Sequence, residues 1–97
     1  MELLKFDHLT NCVDGRFCVP NSRTFPCIDA LIPGQYLLQM TVSKKHDING
    51  KELKKIVAQT GILNLVFVVP KNLFASYKRQ SINSEFHDIR QFVLYIV

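Results

Sequence analysis

Apolar residues in this chain gather into runs, and the two closest runs flank a tight turn. FPCIDALI (25–32) leads through Pro33 and Gly34 into YLLQMTVS (36–43), and polar residues interrupt both runs. Successive strand residues face opposite sides, so Gln39, Thr41 and Ser43 fall on one face. Asp29 stands alone among apolar neighbours, where a buried, unpaired carboxylate would be costly. Pro33-Gly34 suits the central positions of a type II turn. A type II turn splays a two-residue hairpin, so the expected loop is Pro33-Gly34-Gln35. That loop sets Ile32 opposite Tyr36, Asp29 opposite Gln39 and Cys27 opposite Thr41. A two-residue loop would put Asp29 against Leu38 and split the polar group between the two faces.

The remaining pattern supplies the neighbours of this hairpin. Residues 1–10 read as a short helix carrying Leu3, Leu4 and Phe6, residues 11–15 as a turn, and 16–19 as a short strand stopped by Pro20. Asn49 is a good N-cap with Glu52 three residues later, and Leu53, Ile56 and Val57 form the apolar stripe of a helix that Gly61 ends. LNLVFVV (63–69) fits a central strand buried on both faces, parallel to its neighbour because a helix precedes it. Residues 72–80 read as a second amphipathic helix built on Leu73, Phe74 and Tyr77, and 81–88 as a polar loop. IRQFVLYIV (89–97) is a strand or a buried helix; its β-branched and aromatic content favours a strand. The order helix, strand, hairpin, helix, strand, helix, strand describes one α/β domain over residues 1–97.

Composition narrows the function classes. No apolar run approaches the roughly 18 residues of a membrane span, and the N-terminus lacks a signal-peptide pattern, so the chain reads as an intracellular globular domain with no membrane partner. Cys12, Cys18 and Cys27 form no C-x-x-C pair, which argues for reduced thiols; with His8 they match no familiar zinc spacing. Twelve Lys and Arg against eight Asp and Glu leave a net charge of +4, which favours polyanionic partners. Lys44, Lys45, Lys51, Lys54 and Lys55 follow directly on the hairpin. They read either as a solvated basic face or as one that contacts phosphates. No G-x-x-x-x-G-K-[ST] phosphate loop is present, so ATP hydrolysis is not expected.

FPCIDALI, YLLQMTVSKKHDI, LVFVVPKNLFASYKRQ and IRQFVLYIV, taken in order over roughly residues 15–97, resemble the C-terminal module of Crinkler-type effectors and related retrotransposon hot-spot proteins. That module is related to the PD-(D/E)XK restriction-endonuclease-like superfamily. The resemblance implies an α/β fold with a small restriction-endonuclease-like αβββαβ core and an additional C-terminal helix and strand. It also implies a secreted effector that acts on DNA in a host nucleus. The superfamily's metal-binding Asp falls on Asp29, its second acidic position on Gln39 and its lysine on Thr41; an acidic residue on the first helix would correspond to Glu2.

The resemblance therefore implies Mg²⁺ held by Asp29 and Gln39. Gln39 offers a neutral carbonyl oxygen in place of a carboxylate, and Thr41 lacks the lysine's charge. Lys44 or Lys45 would have to reach in from about 10 Å along the strand. His46, with its near-neutral pKa, is a candidate base or phosphate ligand. Three readings follow. The first is a metal-dependent nuclease using Asp29, Gln39, Thr41 and Lys44. The second is a non-catalytic module binding DNA through Lys44, Lys45, His46, Lys51, Lys54 and Lys55. The third is an interaction domain that pairs with a host protein or a second copy through an exposed strand edge such as 89–97.

Overall fold

The computed structural model describes residues 2–45, 47–82 and 88–96. Six strands form one sheet: β1 (Glu2–Phe6), β2 (Arg16–Pro20), β3 (Ala30–Ile32), β4 (Tyr36–Met40), β5 (Asn64–Pro70) and β6 (Arg90–Ile96). They lie side by side in chain order. β3 alone runs against its neighbours; β1 with β2, β4 with β5 and β5 with β6 are parallel pairs. Helix α1 (Gly50–Thr60) connects β4 to β5, and the single turn α2 (Lys71–Phe74) follows β5.

The hairpin forms with the three-residue loop. Gln35 N–H donates to Ile32 O at 2.9 Å, and Gly34 takes the positive φ (77°) that a type II turn demands at its third position. The register pairs Ile32 with Tyr36 and Ala30 with Leu38, so Asp29 and Gln39 come level just past the ladder. Cys27 does not reach Thr41. At φ 69° it turns out of the strand, and its thiol donates to Asn49 O at 3.4 Å instead.

α1 is capped at both ends as its sequence requires. Asn49 Oδ1 accepts from Glu52 N–H at 3.2 Å, and Gly61 closes the helix in the left-handed region at φ 71°. Leu53 and Ile56 are buried beneath it.

Two expected helices are corrected. Residues 2–6 form strand β1, paired with β2, and only Leu9–Asn11 make a 3-10 turn. Helical spacing groups Leu3, Leu4 and Phe6, but LLKF is too short to separate the two periods. Residues 72–80 yield only the four-residue α2; beyond it, residues 77–80 are neither helix nor strand, and Gln80 is tied to β6. Gln91 Oε1 accepts from Gln80 N–H at 2.8 Å, and Gln91 Nε2 donates to Gln80 O at 3.0 Å. The Gln91 side chain thereby takes the Gln80 N–H that a helix would have bonded within itself. The loop expected at 81–88 falls largely on 83–87, outside the described residues.

Two layers result, and the molecule is 22 Å thick against 35 and 34 Å across. One face of the sheet carries the main core: Phe6, Cys18, Leu31, Leu37, Leu65 and Phe67 pack against Leu53 and Ile56 of α1, Leu73 of α2 and Ile28 of the 21–29 loop. On the other face Ala30, Leu38, Val66 and Val68 are buried among Phe17, Val19 and Ile32, all of them sheet residues. Among the described residues no helix packs there. An eleven-residue helix and a single turn are too little to cover a six-stranded sheet twice.

Candidate functional site

Of the residues that the sequence singles out, Asp29 and Gln39 meet at the open end of the hairpin. Asp29 N–H donates to Leu38 O at 2.8 Å, which is the last backbone bond between the two strands. Its carboxylate then turns across to β4. Oδ2 accepts from Met40 N–H at 2.7 Å and from Gln39 Nε2 at 3.1 Å. Gln39 Nε2 also donates to Met40 O at 3.3 Å. Asp29 is exposed and Gln39 half-buried, so the carboxylate is not a buried charge in need of a counter-ion. It is a hydrogen-bonded cap on a strand end, its Oδ2 held by two N–H donors.

Thr41 is committed locally. Its Oγ1 accepts from Ser43 N–H at 3.1 Å, and Ser43 Oγ donates to Lys45 O at 2.8 Å. These hydroxyl-backbone bonds fold 41–45 into consecutive tight turns. Thr41 N–H still reaches Val68 O at 3.0 Å, so the loop leaves the sheet only after that bond. Lys44 and Lys45 are exposed on it, and among the described residues neither side chain bonds to Asp29. His46 lies outside the described residues.

A magnesium ion needs several hard oxygen ligands in near-octahedral geometry. Here one Asp29 oxygen already accepts two N–H bonds, and Gln39 turns its amide nitrogen, not its oxygen, toward the carboxylate. No group of three or more His, Cys, Asp or Glu converges among the described residues. This donor set does not fit a magnesium centre.

The lysines of α1 are spread along its outer side. Lys51, Lys54 and Lys55 are exposed, and Lys55 Nζ lies 3.5 Å from Glu52, an exposed pair of small energetic weight. Two of the thiols, Cys12 and Cys27, are shielded rather than activated. Burial, with the Cys18 thiol beside it, pushes Cys12 up to about 12; burial and then the charge of Glu52 also raise Cys27.

No family model, curated protein or solved structure matches this chain. No helix among the described residues is long and apolar enough to cross a membrane.

The sequence reading missed a set of exposed apolar side chains on one face of the sheet. Leu3, Tyr36, Met40, Phe92 and Leu94 are exposed apolar side chains, and strand register places all five on the sheet face that lacks helices. Toward the C-terminal ends of β4 and β5 this face runs into a shallow groove of about 420 Å³ lined by Met40, Thr41, Val42, Val68, Val69 and Pro70. Val42 there is 83% exposed. A signal was available: LNLVFVV demanded cover on two faces, and the helices to supply it were too short.

Proposed function

We propose that this chain is a non-catalytic interaction module whose working surface is the open apolar face of its sheet. The observation that carries this reading is the pairing of Val66 and Val68, central and buried, with half-exposed Met40, Phe92 and Leu94 on a face that nothing covers among the described residues. Largely parallel sheets are ordinarily covered on both faces, and exposed contiguous apolar patches on this scale mark contact surfaces. The polar cluster around Asp29 serves as hairpin closure under this reading, and neither a metal nor a catalytic lysine is required.

A second reading rests on a different observation. Lys44, Lys45, Lys51, Lys54 and Lys55 are all exposed, on the loop after β4 and on the outer side of α1. They support phosphate contact of the kind implied by the Crinkler-type resemblance, with DNA as the partner and a host nucleus as the setting. Such binding would fall steeply with salt and ignore base sequence.

One set of measurements separates these readings. Sedimentation of wild type, Phe92→Lys, Leu94→Lys and Asp29→Ala is run beside plasmid incubation with Mg²⁺ for wild type and Asp29→Ala. Interaction through the face predicts association that both lysine variants lose and Asp29→Ala keeps, with the plasmid intact. Plasmid nicking that disappears in Asp29→Ala would overturn it in favour of the nuclease.

A further inference from the structure

Resting on that reading of the open face, we infer that its occupant is a second copy of this chain, stacked face to face so that two sheets form the centre of a four-layer dimer. The extent of the face argues for this. Six strands about 4.8 Å apart, three to seven residues long, span roughly 29 by 18 Å. Stacking two such faces removes roughly 1,000 Å² in total, at the lower bound for a biological interface. A single helix, about 10 Å across, would cover only two of the strands. A second sheet covers all six, and equal twist lets two copies pack with their strands aligned within about 30°.

Charge placement points the same way and selects the symmetry. Strand register puts two charged residues on this face, Lys5 on β1 and Arg90 on β6, the outermost strands. The centre holds Ala30, Ile32, Leu38, Val66 and Val68, with no charge for a polar or acidic partner to answer. A two-fold axis across the strands would set β1 on β1 and bring the two Lys5 side chains together. An axis along the strands sets β1 over β6. Lys5 lies in the same cross-sheet row as Val19, Ala30, Leu38, Val66 and Phe92, so it would then stand over Phe92 of the other copy. The aliphatic stem and the ring pack, while the ammonium stays at the wet rim. Such an interface is self-complementary, as a two-fold dimer must be.

The test is sedimentation equilibrium of the full chain across micromolar concentrations, with Met40 oxidation by peroxide followed in parallel. Face pairing predicts twice the monomer mass at the upper end. It also predicts Met40 oxidation several-fold slower there than at the dilute end, which needs no variant to fold. Phe92→Lys and Leu94→Lys, checked by circular dichroism, should weaken association at least tenfold. A dimer that keeps its strength in both folded variants, with Met40 unprotected, would place the contact on the β6 edge and overturn face pairing. A chain monomeric throughout would also overturn it. In that case native-state binding of anilinonaphthalene sulfonate, lost in Leu94→Lys, would leave the interaction reading standing with another partner; no dye binding would remove both.

Discussion

Asp29 and Gln39, placed level by the hairpin register, are joined by a 3.1 Å hydrogen bond on the carboxylate oxygen that also takes the Met40 N–H at 2.7 Å. One side chain thereby closes the hairpin where its backbone ladder ends. Asp29→Ala should lower folding stability by about 1–2 kcal/mol, and Asp29→Asn, which keeps an acceptor oxygen, by roughly half as much. At about 4–8 °C of Tm per kcal/mol for a domain of this size, a thermal melt resolves both. Millimolar Mg²⁺ should leave the wild-type Tm unmoved; a rise in Tm that Asp29→Ala abolishes would show a metal site.

Tyr77 packs its ring on Phe67 at 5.5 Å between centroids, yet its hydroxyl is buried with no hydrogen-bond partner among the described residues. A buried hydroxyl without a partner costs more than it returns. Tyr77→Phe is therefore expected to be neutral or to raise stability by up to about 1 kcal/mol in urea unfolding, whereas a clear loss would mean that the hydroxyl has a partner.

The two caps of α1 should be separable. Asn49→Ala leaves Glu52 N–H without its acceptor, at a cost of about 1 kcal/mol. A Cβ added at Gly61 would meet nothing within 4 Å, so Gly61→Ala carries only the strain of φ 71°, again about 1 kcal/mol. Gly61→Asn, which tolerates that region better, should recover part of the loss. Equal losses for Ala and Asn would refute the backbone explanation.

Alkaline pH should weaken the fold through Cys12. Its thiol is raised from 9.0 to about 12 by burial first and by its Cys18 neighbour second. A group held protonated in the native state stabilises it fully below the unfolded pKa, and that share is lost as pH climbs through the native value. Wild type should thus lose stability between pH 9 and 12 faster than Cys12→Ser. At pH 8 Cys12 should react slowly with a disulfide reagent in the folded chain and at an ordinary rate in urea.

The hairpin was legible because its turn chemistry and its alternation agree: Pro33, Gly34 and the Ile32–Tyr36 register follow from local rules alone. Helix α1 was legible for the same reason, with Asn49, Leu53, Ile56 and Gly61 all consistent. β1 was not, because five residues (ELLKF) fit either period and only pairing with β2 decides between them. The helix expected at 72–80 failed through a long-range contact, the Gln91 clamp on Gln80, which no local window contains. The hairpin register set Asp29 opposite Gln39 as expected, but Cys27 turned away from Thr41. A carboxylate at a strand end can be satisfied by backbone N–H groups that a sequence does not display.

β1 to β6 lie side by side in the order in which they are made, so each strand, as it leaves the ribosome, finds its pairing partner already in place. No strand has to be held back for a later one to slip between. Sheet growth by successive addition needs no rearrangement of strands already paired, and the long crossovers over 41–63 and 71–89 make the last two parallel pairings the slow steps. β6 docks last, and until it does the β5 edge and its five consecutive buried residues, Leu65 to Val69, stay open to other nascent chains. Synthesis that stalls before residue 90 should therefore yield the most aggregation-prone form of this protein.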